Sequence, residues 1–207
     1  MDPDSATAFG FGGYRFSWGD HICAIFDDPQ QQMELMSRFV AEGLRAVQLC
    51  VWVSPPGSAG RFRAALARIG GDLPSLEAAS QLVVLADADF YLEGGVFQPA
   101  RTMALLRTLL EQGRRDGYTT MRMATDVSCL RDERMDPTRW ERFEADLTHE
   151  VSRLPAVLVC QYDRAQIPGS AVVAAFRTHP LVILGDRLYE NPFVAVSGDA
   201  PEPSEVA

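Results

Sequence analysis

Lysine is missing from this chain: its 19 basic residues are all arginines, set against 28 acidic ones. The net charge of -9 disfavours nonspecific binding to nucleic acid, so no direct nucleic-acid partner is expected. Long apolar runs are missing too. Those present, such as Leu82 to Ala86, Ala156 to Cys160 and Leu181 to Leu184, fall far short of the roughly 20 residues that a membrane span needs. The N-terminus has no basic stretch followed by an apolar core, so no secretory leader is read and a cytoplasmic location is expected. Cysteine is sparse. Cys23, Cys50, Cys129 and Cys160 form no Cys-x-x-Cys pair, which argues against zinc-finger and thioredoxin-like readings, and in the cytoplasm they are expected to be reduced.

Catalytic signatures are equally scarce. There is no Gly-x-Ser-x-Gly elbow, no His-Glu-x-x-His and no glycine-rich dinucleotide fingerprint. A Cys160 nucleophile served by His179 has no motif behind it. The chain is therefore expected not to be an enzyme, with no catalytic residue and no cofactor.

What is present is a single core. At 207 residues and 47% hydrophobic composition, the chain reads as one domain over residues 18–196. A glycine- and aromatic-rich arm (1–17) precedes it and a disordered tail (197–207) follows. Short apolar runs predict strands at Ile22 to Phe26, Leu49 to Val53, Leu82 to Leu85, Thr120 to Ala124, Val157 to Gln161 and Leu181 to Leu184. Between them the spacing becomes helical. The first helix runs from Pro29 to about Val47, with Asp28 as N-cap, Pro29 at the first helical position and Gln31 as capping-box partner. Later helices are marked by Phe62, Leu66 and Ile69; by Met103, Leu106 and Leu110; by Trp140, Phe143, Leu147 and Val151, started by Asp136-Pro137; and by Val172, Val173 and Phe176. Strands alternating with helices predict an α/β fold: a mostly parallel central sheet flanked by helices in three layers.

In such sheets ligands sit beyond the carboxyl ends of the strands. The loop after Phe26 is where a nucleotide-binding relative of this fold would carry a glycine-rich loop ending in Gly-Lys-Ser/Thr. Here it reads Asp27-Asp28-Pro29-Gln30-Gln31. Two carboxylates stand in place of the lysine and Pro29 has no amide proton, so a triphosphate is repelled.

The segments GDHICAIFDDPQQQ, FVAEGLRA, CVWVS, QLVVLADADFYLEGGVFQPARTM, LVCQYDR and RTHPLVILGDRLYENPF, spread from Trp18 to Phe193, together resemble the MEDS domain, the sensory domain typified by the regulator DcmR. The resemblance implies a RecA/KaiC-like three-layer sandwich lacking a functional P-loop. It implies a small hydrocarbon-derived ligand and a role in signal transduction and transcription regulation without ATP hydrolysis. The output would pass through a regulatory protein such as an anti-sigma factor or histidine kinase, or through a homodimer. It also puts forward His21, Cys23, Asp27, Tyr91, Arg122, Asp126, Tyr162, Asp163, His179 and Asn191 as candidate ligand contacts. Where relatives read Arg-x-x-x-Glu-Met-Ser-Trp, this chain has Arg122-Met123-Ala124-Thr125-Asp126-Val127-Ser128-Cys129. The shorter acid and the lost ring imply a different pocket.

The residues themselves leave alternatives open. His21 and Cys23 are expected to point to opposite faces of their strand and so not to chelate one ion together. A metal site of His21 with Cys160 or His179 has suitable ligand types but no supporting spacing. Arg122 and Asp126 read either as a paired structural couple or as a cation and acid lining the cleft. Tyr162 and Asp163 are expected to emerge at one rim, with an aromatic lid on the core as the alternative for Tyr162, while His179-Pro180 and Asn191-Pro192 read as turn punctuation and His149 as surface. The competing function classes are a thiol- or metal-based redox sensor and a protein-interaction scaffold without ligand.

Overall fold

The computed structural model describes residues 7–8, 15–55, 57–132 and 135–194. Most of the arm, and the whole of the tail read as 197–207, lie outside these described residues.

The first described elements are a two-residue antiparallel pair, β1 (Thr7–Ala8) and β2 (Arg15–Phe16). The central sheet is then built from β3 (His21–Phe26), β4 (Leu49–Ser54), β5 (Leu82–Ala86), β8 (Met121–Asp126), β9 (Ala156–Asp163), β10 (Leu181–Leu184) and β11 (Arg187–Glu190). A small hairpin, β6 (Leu92–Glu93) and β7 (Val96–Phe97), stands apart. The seven-stranded order is β11-β10-β3-β9-β8-β4-β5. All neighbours pair in parallel except β10 with β11. The expected strands are present, most of them one or two residues longer than read. The interior strands β3, β4 and β9 are almost wholly buried, which is why they show continuous apolar runs rather than alternation.

Helices cover both faces. On one face lie α1 (Pro29–Arg45), α2 (Ala59–Ile69) and the short α3 (Leu73–Ala78); on the other lie α4 (Asp87–Tyr91), α5 (Pro99–Arg115), α6 (Pro137–Val151) and α7 (Gly169–Thr178). Two cores result. Ile22, Ala24, Cys50, Trp52, Val157 and Val159 pack against Phe39 and Val40 of α1 and Phe62 of α2. Cys23, Ile25, Val51, Val53, Leu158 and Cys160 pack against Leu106, Trp140, Phe143 and Ala175 on the other side. The start of α1 follows its sequence: the Asp28 carboxylate accepts the Gln30 amide at 2.8 Å and Pro29 occupies the first turn. The capping contact comes from Gln30; Gln31 makes no reciprocal bond to Asp28 among the described residues.

Two expectations about side-chain direction are corrected. His21 and Cys23 are two residues apart, and on a strand that spacing places side chains on the same face; Cys23 lies in the core under α6, the side on which His21 meets Thr148 and Glu144 of that helix. Val173 does not belong to the buried stripe of α7. It is 50% exposed, while Ala171, Ala174, Ala175 and Thr178 face inward, because small residues let this helix sit close to the sheet.

Arg122 locks the amino end of β8 to α1 and is not paired with Asp126. Its Nε donates to Gln48 Oε1 at 2.7 Å and a terminal nitrogen donates to the Phe39 carbonyl at 3.1 Å. The guanidinium also lies 3.9 Å from Glu42 and 5.2 Å over the Phe39 ring. Asp126 sits at the opposite, carboxyl end of the strand. Gly43 is what allows α1 to approach: a Cβ there would lie 2.6 Å from Cys50 Sγ and 2.9 Å from Arg122 Cδ.

Two substitutions test this lock in urea denaturation. Arg122→Met leaves Gln48 and a buried carbonyl without a donor and is expected to cost about 3 kcal/mol. Gly43→Ala overpacks the helix against the sheet and is expected to cost about 1–3 kcal/mol. Unchanged midpoints would show that this contact is not where α1 is held.

Candidate functional site

The carboxyl ends of the parallel strands carry a cleft of about 730 Å³ on the α1/α2 face. Its wall includes Asp28 and Gln32 of the α1 start, Trp52 of β4, Asp126 of β8 and Asp163 of β9, together with Arg61, Arg68 and Arg131. The strand-to-helix connection between β3 and α1 is only Asp27 and Asp28. A phosphate-wrapping loop needs about eight residues, so its backbone cradle is absent along with its lysine. Asp28 spends its carboxylate on capping α1, and Asp27 pairs with Arg164 at the surface.

Behind the rim a polar network fixes the site. Gln32 Nε2 donates to Gln161 Oε1 at 3.0 Å and reaches Asp126 Oδ2 at 3.4 Å. Asp126 also accepts the Ser128 amide at 2.8 Å, and the Ser128 hydroxyl donates to Asp87 at 3.2 Å. Burial raises the Asp126 carboxyl above its ordinary range, opposed by the Ser128 bonds. Trp52 lies flat on Phe62, with ring centroids 4.0 Å apart. Trp52 Nε1, Ser54 Oγ and Gln161 Nε2 are buried without a hydrogen-bond partner among the described residues. Unused buried donors are costly, and a polar ligand atom or water is the usual remedy.

The opposite face of the sheet holds a second concentration of polar groups. His21 begins β3, Cys160 sits in β9, His179 precedes β10 and Glu144 projects from α6; each is at most 1% exposed. His21 Nε2 lies 3.3 Å from Cys160 Sγ and 3.5 Å from Glu144 Oε2. His179 Nε2 lies 3.4 Å from the same carboxylate oxygen. The other carboxylate oxygen accepts the Tyr162 hydroxyl at 3.2 Å. The two imidazoles are 4.1 Å apart, centroid to centroid. These are not ion pairs. Burial pushes the Glu144 carboxyl up to about 8, holds His179 down at about 4, and lowers His21 well below the ordinary histidine value, with the neighbouring His179 adding to it. Near neutral pH Glu144 keeps its proton and both rings are uncharged.

The candidate residues therefore divide between two places. Asp126 and Asp163 line the cleft, with Asp27 beside it. His21, Cys160, Tyr162 and His179 meet inside, with Cys23 next to Cys160 across β3 and β9. Tyr162 does not emerge at the rim as expected: it is fully buried with its hydroxyl on Glu144, and only Asp163 reaches the cleft. Tyr91 is buried against Trp140 at 5.3 Å. Asn191 locks a turn, its amide donating to the Phe176 and His179 carbonyls at 2.6 and 2.7 Å. Arg122 is on neither site. His149 is exposed. All four cysteines are buried and free, and burial pushes each thiol above its ordinary value, which lowers their reactivity as redox thiols. Sequence reasoning missed Glu144, although a signal existed: it falls on the buried stripe Trp140, Phe143, Leu147 and Val151 of an amphipathic helix, where an acid is out of place.

Comparison with solved structures finds a KaiC-like protein from the hyperthermophilic archaeon Pyrococcus horikoshii, at a TM-score of 0.57 and 10% identity, covering 81% of this chain and 71% of that one. At that identity the likeness concerns the fold: a KaiC-like three-layer α/β sandwich. No curated protein sequence matches the chain. No helix among the described residues is long and apolar enough to cross a membrane. The profile of the methanogen/methylotroph DcmR sensory domain matches residues 20–180, which hold five of the seven strands of the central sheet and the helices α1 to α7, and the chain belongs to this MEDS family of sensory domains.

Proposed function

We propose that this MEDS domain is a binding and signalling module, not a catalyst. It reads a small, weakly polar organic molecule in the cleft over the carboxyl ends of β4, β8 and β9, and passes the occupied state to a regulatory partner protein. The observation that carries this reading is the cleft itself. It keeps the position at which open α/β sheets bind ligands and a volume suited to a small molecule, yet the phosphate-binding loop is reduced to two acidic residues. The unpaired indole donor of Trp52 on the cleft wall supports a ligand with an acceptor atom, such as an alcohol, a carbonyl or a carboxylate. The rim network of Gln32, Asp126 and Ser128 connects three elements, α1, β8 and the 3₁₀ turn Ser128–Arg131. A ligand that engages it can favour one arrangement of these elements over another.

The test is a thermal-shift and calorimetric screen of one- to four-carbon alcohols, ketones, carboxylates and halocarbons beside Mg-ATP. A binder present at a hundredfold its Kd is expected to stabilise the fold by about 2.7 kcal/mol, a shift of roughly 5–10 °C for a chain of this size. Mg-ATP is expected to give none. Asp126→Asn and Trp52→Phe are each expected to raise Kd about tenfold, near 1.4 kcal/mol, which about halves the shift at the same ligand concentration. Saturable Mg-ATP binding in place of any organic ligand would contradict the reading.

A further inference from the structure

We infer that His21, Glu144, Cys160 and His179 form a tetrahedral binding site for one divalent transition-metal ion of the zinc class. The four ligand atoms lie within 4.8 Å of one another. The separations His21 Nε2 to Glu144 Oε2, 3.5 Å, and His179 Nε2 to Glu144 Oε2, 3.4 Å, are the edges of a zinc tetrahedron. Bond lengths of about 2.0–2.3 Å put such edges at ~3.3 Å for nitrogen to oxygen and ~3.6 Å where sulfur takes part. His21 Nε2 to Cys160 Sγ at 3.3 Å and Cys160 Sγ to Glu144 Oε2 at 4.0 Å bracket the sulfur value.

The surrounding groups orient the ligands as a metal site requires. His179 Nδ1 faces the Ala175 carbonyl at 3.0 Å. That oxygen can only accept, so Nδ1 carries the proton and Nε2 presents a lone pair to the centre. His179 Nε2 is fully buried, and the neighbour it faces is Glu144 Oε2 at 3.4 Å. His21 follows the same logic. Its Nδ1 meets Thr148 Oγ1 at 2.8 Å, and that hydroxyl's single proton goes to the Thr178 carbonyl at 2.6 Å or the Glu144 carbonyl at 3.0 Å. Thr148 therefore accepts from His21, and a second imidazole lone pair turns inward.

Charge balance favours a divalent ion. One such ion with the Cys160 thiolate, the Glu144 carboxylate and two neutral imidazoles sums to zero, and the two displaced protons leave to solvent. No net charge is then buried. Nitrogen and sulfur donors select zinc-class ions over magnesium or calcium. With four protein ligands and no exposed edge the site is closed, which is the structural rather than the catalytic type. It would tie α6 to β3, β9 and β10, on the face of the sheet away from the cleft, so either site can fail without the other.

The test uses the full chain expressed in cobalt-supplemented medium. Purified protein is expected to hold about one cobalt per chain, with the absorption bands of tetrahedral Co2+ and a thiolate-to-cobalt charge-transfer band. Excess Zn2+ should abolish both. Cys160→Ser is expected to remove the charge-transfer band. Thr148→Val, which touches no ion, is expected to keep one-to-one binding but weaken it about 10–100-fold. If a variant does not fold, the wild-type spectrum decides by itself. Folded wild-type protein with neither cobalt nor zinc, or with an octahedral or thiolate-free spectrum, overturns the site.

Discussion

The arrangement of this domain turns on four polar side chains that water does not reach. His21, Glu144, Cys160 and His179 come from the starts of two strands, the middle of a third and the inward face of a helix. An acid in that position is tolerated only if its oxygens are satisfied. Tyr162 supplies one hydrogen bond, and the remaining lone pairs of Glu144 and both imidazoles converge on one point. An ion there takes the place of the Glu144 and Cys160 protons and cross-links α6 to the centre of the sheet. The aromatic cluster of Tyr91, Phe97, Trp140 and Phe143 packs along the same helix and extends that anchoring towards α4 and α5.

The two faces of the sheet thus do different things. On the α6 face, bulky rings and the polar cluster hold helices in place. On the α1/α2 face, the carboxyl end of the sheet opens into a cleft whose wall carries acids, arginines and the Trp52 indole. Arg122 and Gly43 secure α1 only at the opposite, amino end of the sheet. The start of α1 is held separately, by the Gln32 bonds to Gln161 and Asp126 at the edge of the cleft. The fold is shared with a KaiC-like protein, and the connection from β3 to α1 is only two residues long.

Much of this fold was legible in the residues because buried parallel strands are written as short apolar runs, and six of them stand out. The seventh, β11, was not: Arg187-Leu188-Tyr189-Glu190 is a largely exposed edge strand. It is returned by a two-residue turn in which Gly185 takes φ 64°, the backbone sense that a tight hairpin needs. Helices α3 and α4 span 6 and 5 residues, too few to display a period. The site was legible only in part. His21, Cys160 and His179 stood out by residue type, but their meeting depends on β3 lying between β10 and β9, an order that no local spacing encodes. The pairing of Arg122 with Asp126 failed for the complementary reason: four strand residues separate opposite ends of a sheet, at about 3.3 Å each.

Anomalous diffraction from crystals of the protein as purified, collected on both sides of the zinc edge, tests the account most directly. The account predicts one peak among His21 Nε2, Glu144 Oε2, Cys160 Sγ and His179 Nε2, at about 2.0–2.3 Å from each, and none in the cleft. A peak-free map in which Glu144 hydrogen-bonds straight to His179 would contradict it.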